Sequence, residues 1–314
     1  MKKTMLKYGI SALILGASAL MPQQASAAVI AYEGFDYADG TALNGQKGGQ
    51  GWAAGWVIGD SARVLTRVEN GVLYAYNKYK DNTGANPTRA LSYTPPTSGG
   101  VATGTVYIMV DLSNIYNVEA NYTLRLYNGT KNILSLGQGR GGENWYTHIY
   151  ASNGSGGTVE TKLTSDVNSR TNDGIPNVGR LVVAIDYDNY MIRFYVNPDL
   201  LDEEPLFDPT AYQYKSVGSV GFANFAELTS ISLYTSNQAN DYGWADVDNP
   251  QPSDYRFGNG VEKTWDNIAF VTEWSDLATL VIPEPSSILY GVGGMMTLLA
   301  LHRRRNKQAA SQQA

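Results

Sequence analysis

The sequence predicts an all-β sandwich, because short apolar runs alternate with glycine-rich turns along most of the chain. Its 314 residues include 33 glycines and 22 tyrosines; glycine is common in tight turns, and tyrosine is favoured in strands. Residues 28–280 contain no sustained apolar repeat with a helical period, so we expect few and short helices. A single β-sandwich domain over residues 28–280 is therefore the expected architecture.

Three turn dipeptides lie between runs of β-branched and aromatic residues, which is the pattern of a β-hairpin. They are Asn70-Gly71, Asn128-Gly129 and Asp188-Asn189. Four further segments have strand-like composition, namely residues 107–112, 217–222, 231–235 and 265–272. We expect residues 239–260 to form the longest irregular loop and residues 275–282 to form a short connector.

The first 27 residues have the three zones of a secretory signal peptide. Lysines at positions 2, 3 and 7 precede an apolar stretch over residues 8–21. Ala25 and Ala27 then flank a serine in the small-residue pattern that signal peptidase accepts. We predict export, with cleavage after Ala27.

The other end of the chain contains a second hydrophobic signal. Pro283, Glu284 and Pro285 precede an uncharged apolar run over residues 286–301, and the run is followed by Arg303, Arg304 and Arg305. The run is short for a membrane span, which usually needs about 20 residues. Because an arginine cluster stays on the cytoplasmic side of the membrane, this helix would place the domain outside.

This ordered tail resembles the PEP-CTERM sorting signal of Gram-negative bacteria, which an exosortase recognises. The resemblance covers residues 283–305, within a sorting-signal segment that we place at 281–305. A polar tail follows over residues 306–314, where similar proteins commonly stop sooner. It implies processing by signal peptidase and exosortase, with the protein inserted in the inner membrane, retained in the envelope or released into extracellular polymer. Whether the tail is cleaved or kept as an anchor stays open.

The charge of the domain excludes one class of partner. Without the seven basic residues and the one acid in these two ends, 16 basic residues face 28 acidic ones, a net charge of −12. Such a domain repels phosphate backbones, so we expect no nucleic-acid partner. The sequence has no cysteine, which removes thiol nucleophiles and cysteine-based metal centres.

Four segments of the domain resemble the concanavalin-A-like and laminin-G-like jelly rolls of secreted bacterial proteins. They are YEGFDY at 32–37, the two Gly-Trp pairs at 51–52 and 55–56, the hairpin between 185 and 198, and WDNIAF at 265–270. The resemblance implies a jelly-roll fold in which Trp52, Trp56 and Trp265 belong to the framework. Since the family includes lectins, adhesion modules and glycan hydrolases, it leaves the function open.

Catalytic patterns are missing from the sequence. Glycanases of this superfamily carry Glu-x-Asp-x-x-Glu on one strand, and that spacing does not occur here. Asp186 and Asp188 have the right separation but lie at a predicted bend, where aspartates usually bond to the local backbone. His148 is the only histidine of the domain, and we interpret it as a packed or surface residue. We therefore expect no enzyme; the alternative is a polysaccharide hydrolase or lyase with a diverged site.

Calcium is the one inorganic partner that the sequence suggests, and no cofactor is required. Four aspartates lie within the long loop and offer the oxygen ligands that calcium prefers: Asp241, Asp246, Asp248 and Asp254. Glu33, Asp36 and Asp266 form a weaker candidate, because the first and last strands of such folds often pair. The alternative for the loop is a solvated acidic segment.

Aromatic residues are the candidate ligand contacts, because a sugar ring stacks its C–H face on an aromatic ring. One candidate pair is Trp145 and Tyr146, and the other group is Tyr242, Trp244 and Tyr255 beside the acidic loop. The sequence thus favours an exported, non-catalytic protein that binds extracellular polysaccharide or serves a structural role.

Overall fold

The chain folds into an all-β sandwich of two antiparallel sheets. The computed structural model describes residues 29–59, 64–77, 86–114, 122–138, 144–168, 177–205, 212–235 and 263–281. The predicted signal peptide, the sorting signal with its membrane helix, the polar tail and the acidic loop lie outside these residues. Of the helices in the described ranges, none combines the length and apolarity that a membrane span needs.

Strands supply most of the described structure. In chain order they are β1 (Val29–Glu33), β2 (Trp52–Ile58), β3 (Val64–Glu69), β4 (Val72–Asn77), β5 (Pro87–Tyr93), β6 (Thr97–Ser98), β7 (Val101–Ala102), β8 (Thr105–Asn114), β9 (Tyr122–Asn128), β10 (Lys131–Gln138), β11 (Asn144–Ser152), β12 (Thr158–Asn168), β13 (Asn177–Asp186), β14 (Met191–Val196), β15 (Tyr212–Ser216), β16 (Leu228–Thr235) and β17 (Lys263–Val271). The described residues also include two helices, α1 (Gly218–Phe222), which continues into a 3-10 turn (Ala223–Phe225), and α2 (Trp274–Val281).

The sandwich consists of a front sheet and a back sheet. The front sheet has seven strands in the order β12-β11-β10-β9-β16-β5-β2. The back sheet has eight, in the order β15-β14-β13-β8-β17-β4-β3, with β1 pairing to β17 beside β4. A small hairpin of β6 and β7 stands apart. The predicted pairing of the first and last strands is confirmed, with Glu33 opposite Ile268.

The core lies between the sheets because alternate residues of each strand point inward. In β8, Val106, Ile108, Val110 and Leu112 belong to this core, whereas Tyr107 and Met109 point to the other side of the back sheet. The framework prediction is confirmed for Trp56 and Trp265, which are fully buried. Trp52 is partly buried and packs against the same core.

The three predicted hairpins are present. Asn70 and Gly71 have φ values of 54° and 73° and form the two-residue turn between β3 and β4. The second turn is displaced by one residue, since Asn128 pairs with Lys131 and Gly129 has a φ of 57°. The third hairpin joins β13 to β14, with Asp186 opposite Met191, so its loop includes Asp188-Asn189.

Two sequence-based assignments are wrong. Residues 217–222 form helix α1 rather than a strand; Gly218 has a φ of 73°, a conformation that ends the extended chain after β15. Residues 275–282 were expected to be a connector, but α2 begins at Trp274. Trp274, Leu277 and Ala278 are buried against the back sheet, and their i, i+3, i+4 spacing is that of an amphipathic helix.

Helix α2 covers part of the outer face of the back sheet. The Trp274 ring makes edge contacts with Tyr107 and Tyr195, at centroid distances of 5.7 and 5.2 Å. Its Nε1 donates a hydrogen bond to the Asp202 carbonyl at 3.0 Å. The described chain therefore ends on the back of the sandwich, opposite the outer face of the front sheet.

Candidate functional site

The outer face of the front sheet carries two rows of polar and aromatic side chains. Strand register places directly paired residues side by side. The first row crosses five strands through Lys162, His148, Ser135, Arg125 and Ser232. The second row crosses the same strands through Thr164, Tyr146, Gly137, Thr123 and Tyr234. These two rows, with Tyr150 and Glu160 beside them, are called the polar face below.

The strand β11 shows why these side chains share one face. Its residues Trp145 and Ile149 point into the core. Because side chains alternate along a strand, Tyr146, His148 and Tyr150 point outward. The neighbouring strands follow the same alternation through their register. The second row has no side chain at Gly137, and at this point the row is buried, with Tyr146 and Thr123 exposing 5% and 1% of their surfaces.

Aromatic rings and cations are interleaved on the polar face. The Tyr146 and His148 rings have centroids 4.6 Å apart, and Lys162 Nζ lies 4.6 Å from the Tyr146 centroid. The Arg125 guanidinium carbon lies 3.3 Å above the Tyr234 ring. Such cation–π contacts hold long side chains in place, so both cations are pre-positioned.

His148 is held by a carboxylate. Its Nδ1 lies 2.6 Å from Glu160 Oε1 and 3.4 Å from Tyr150 Oη. Burial lowers the pKa of His148, and the opposing attraction of Glu160 does not outweigh it, since Lys162 and Arg125 act with burial. The ring is therefore neutral near pH 7. Its Nδ1–H donates a hydrogen bond to Glu160, and Nε2, which carries the lone pair, lies on the opposite side of the ring.

Three polar atoms of the polar face are buried without a hydrogen-bond partner. They are Thr123 Oγ1, Arg125 Nε and His148 Nε2. A buried polar atom without a partner costs about 1–3 kcal/mol, so such atoms are uncommon unless something else satisfies them. They comprise two donors and one acceptor in adjacent rows, the set that a hydroxylated or anionic ligand would satisfy.

Tyr146 and Tyr150 keep their hydroxyl protons at neutral pH. Burial raises the pKa of Tyr146 well above its usual value, and neighbouring Tyr150 and Glu160 act in the same direction. Burial and Glu160 likewise raise the pKa of Tyr150. Neither group is an anion under ordinary conditions, so each can donate a hydrogen bond to a ligand oxygen.

The predicted ligand contacts are corrected in one respect. Trp145 is fully buried in the core, because its position in β11 points inward, so it offers no stacking surface. Tyr146 lies on the polar face but is also buried, with 5% of its surface exposed, so it offers little stacking surface. Tyr242, Trp244 and Tyr255 lie outside the described residues, as do the four aspartates of the calcium prediction, Asp241, Asp246, Asp248 and Asp254.

Sequence reasoning missed His148, Arg125 and Tyr234 as parts of one site. The alternation of Tyr146, His148 and Tyr150 is visible in the sequence and indicates one polar-aromatic face of a strand. The partners on β9, β12 and β16 depend on strand register, which the sequence does not reveal.

The weaker metal candidate is wrong. Glu33 points inward and accepts hydrogen bonds from Phe35 N and Tyr37 Oη, both at 2.8 Å, and from Trp56 Nε1 at 3.0 Å. It also forms a buried ion pair with Arg89, so it is not available beside Asp36 and Asp266. Within the described ranges, no group of three or more His, Asp or Glu is placed to hold a metal ion.

The bend aspartate behaves as predicted. Asp186 accepts hydrogen bonds from Asn189 N and Nδ2, both at 3.0 Å. It also accepts one from Arg193 Nη1 at 2.6 Å. These bonds close the β13–β14 turn, which is a structural role.

Comparisons with known proteins find likeness in structure only. No family model and no curated protein matches the sequence. The CBM2 module of the evolved Dit of Lactobacillus casei BL23 phage J-1 aligns over 78% of this chain and 96% of that chain, at 10% identity and a TM-score of 0.42. A prokaryotic β-1,3-1,4-glucanase (lichenase) from a mouse hindgut metagenome aligns over 77% and 98%, at 11% identity and a TM-score of 0.40.

A third solved structure is similar to this chain at a comparably low level. The CBM40 of the Ruminococcus gnavus IT-sialidase, bound to α2,6-sialyllactose, aligns over 62% of this chain and 98% of that chain, at 12% identity and a TM-score of 0.33. Similarities at this level assign neither a ligand nor an activity to this chain.

Proposed function

We propose that this chain is an exported envelope or matrix protein whose sandwich domain binds polysaccharide on the polar face without cleaving it. The observation that carries the proposal is the pair of cross-strand rows, in which the partly exposed rings of His148 and Tyr234 lie among three buried, unpartnered polar atoms. Sugars need this combination, since their C–H faces stack on rings and their hydroxyls require donors and acceptors.

The dimensions of the face favour a chain-like ligand. The first row spans four strand spacings from Lys162 to Ser232, which is roughly 19 Å at the usual separation of strands. A surface of this length contacts several consecutive sugar units, so a polysaccharide segment suits it better than a monosaccharide.

The ends of the chain support the location. Ala25 and Ala27 supply the signal-peptidase pattern, and Pro283, Glu284 and Pro285 begin the segment that resembles a PEP-CTERM signal. With the concanavalin-A-like jelly roll that the internal segments resemble, these ends suit export through the inner membrane and sorting by an exosortase. Calcium at the aspartates of the 239–260 loop is part of the same proposal.

Binding without hydrolysis is favoured by the number of carboxylates. Glycoside hydrolysis normally needs two carboxyl groups about 5–9.5 Å apart. Among the twelve residues that define the polar face, Glu160 is the only carboxylate, and it is engaged by His148. These residues supply no second carboxyl group for an acid–base pair, which supports binding over hydrolysis.

A lyase is the second candidate, because of one feature of His148. Its neutral imidazole leaves the Nε2 atom buried and unpartnered, and a positioned imidazole can act as a general base. The two candidates are separated by product formation, since a lyase releases unsaturated sugar ends that absorb ultraviolet light.

The proposal is tested by binding of the full-length protein to a panel of immobilised polysaccharides, with and without chelator. We expect binding to at least one polysaccharide, no new reducing or unsaturated ends, and about tenfold weaker binding for Tyr150→Ala. Tyr214→Ala is the matched control, because Tyr214 is exposed on the back sheet. Equal weakening by both variants would contradict the assignment of the face, and binding to no polysaccharide would contradict the function.

A further inference from the structure

Arg125 differs from the other arginines that the structure describes. Arg67, Arg89, Arg180 and Arg193 each form an ion pair with a carboxylate. Arg125 has no ion pair among the described residues; its guanidinium lies on the Tyr234 ring, and its Nε is buried without a hydrogen-bond partner. The protein thus pairs four of these cations internally and leaves the one on the polar face unneutralised.

Lys162 adds a second positive charge to the same row. Its ammonium group contacts the Tyr146 ring at 4.6 Å, and no described carboxylate forms a salt bridge with it. His148 lies between Lys162 and Arg125 in the row and engages Glu160. The row therefore carries excess positive charge on a domain whose net charge is −12 without its two ends.

The geometry of Arg125 suits an anionic group. A guanidinium presents paired N–H donors that match a carboxylate or a sulfate. Contact with Tyr234 restricts the guanidinium before a ligand binds, which reduces the entropy lost on binding. Arg180 shows this pairing within the same protein, because its Nε and Nη2 donate to the two Asp111 oxygens at 2.8 and 2.9 Å.

We propose that the polysaccharide bound by the polar face is acidic, and that Arg125 binds its anionic groups with help from Lys162. This inference rests on the proposed function and names its ligand class. The shared chemistry is an oxyanion on each repeating unit, whether the carboxylate of a uronic acid or a sulfate ester.

The test compares three ligands with the full-length protein: a polyuronate, a sulfated polysaccharide and a neutral polysaccharide. We expect the acidic ligands to bind at least tenfold more tightly than the neutral one, with affinity that falls as salt rises. Arg125→Gln should weaken acidic binding by about tenfold to a hundredfold, and Lys162→Gln should weaken it less, because Lys162 is exposed. The tighter of the two acidic ligands identifies the oxyanion.

Arg67→Gln is the matched control, because Arg67 also lies over a tyrosine ring, that of Tyr74 at 5.1 Å, but in the back sheet. It should leave binding unchanged. Equal binding of neutral and acidic ligands would overturn the inference and leave the proposed function standing. Acidic binding that is unchanged in both Arg125→Gln and Lys162→Gln would also overturn it. Binding of none of the three ligands, together with no binding on the wider panel, would remove the proposed function itself.

Discussion

Loss of the Glu33 carboxylate charge should destabilise the sandwich strongly. Glu33 and Arg89 form an ion pair in which each side chain is 1% exposed. The Arg89 guanidinium also donates to the carbonyls of Gly48 and Ala54 and lies 4.8 Å from the Trp52 ring centroid. Glu33→Gln would keep the shape of the side chain but leave the guanidinium buried without a counter-charge.

The size of the effect follows from the burial. Removing one partner of a buried ion pair typically costs about 3–5 kcal/mol. For a domain of this size, that loss corresponds to a fall in Tm of roughly 6–20 °C. The assay is thermal unfolding of the full-length protein, followed by tryptophan fluorescence, which is sensitive because Trp56 donates to Glu33.

Two further variants show whether charge is the cause. Glu33→Gln combined with Arg89→Met should recover much of the loss, because the pair is then replaced by uncharged groups of similar volume. Glu69→Gln breaks the partly exposed ion pair between Glu69 and Arg67, in which the two side chains are 30% and 31% exposed. It should change the free energy of unfolding by less than about 1 kcal/mol. A Glu33→Gln protein as stable as Glu69→Gln would refute the reasoning.

Three other predictions concern pH, the C-terminal helix and export. Burial and the nearby Asp111 and Asp36 raise the pKa of Asp266 to about 6. The folded protein therefore keeps a proton on Asp266 at a pH where the unfolded chain has released it. This group favours folding below about pH 4, and the effect is lost as the pH rises to about 6. Asp266→Asn should therefore gain Tm relative to the natural protein over that interval, and parallel curves would contradict this. Leu277→Ala should cost about 2–5 kcal/mol, because Leu277 is fully buried against the back sheet; an unchanged unfolding midpoint in denaturant would show that α2 is not docked. Mass spectrometry of the exported protein should find Ala28 at its N-terminus, and a protein that retains residues 1–27 would contradict the predicted cleavage.

Local features of the sequence predicted much of the fold. Asn70-Gly71 forms a tight turn because both residues adopt positive φ, a property of the dipeptide itself. The strand at Lys263–Val271 overlaps the run at 265–272 that composition predicted, and the burial of Trp265 agrees with the jelly-roll framework that its segment resembles. Residues 217–222 were misassigned because a short apolar run fits a strand and a helix equally well, and Gly218 decided between them.

The candidate site was predictable only in part. Tyr146 was a candidate because it is aromatic, but Trp145 beside it faces the core. A shift of one residue decides which of the two faces a side chain joins. Arg125 and Lys162 lie 37 positions apart in the sequence and share a row only because β9, β10, β11 and β12 pair in succession. The pairing that unites such residues is a property of the whole sheet.

Hydrogen–deuterium exchange of the full-length protein, with and without the tightest-binding polysaccharide of the panel, tests the polar face most directly. Slower exchange should concentrate in residues 122–138 and 144–152, which span β9, β10 and β11, and should be reduced in Arg125→Gln. Protection confined to the back sheet and α2, or no protection at saturating ligand, would contradict the account.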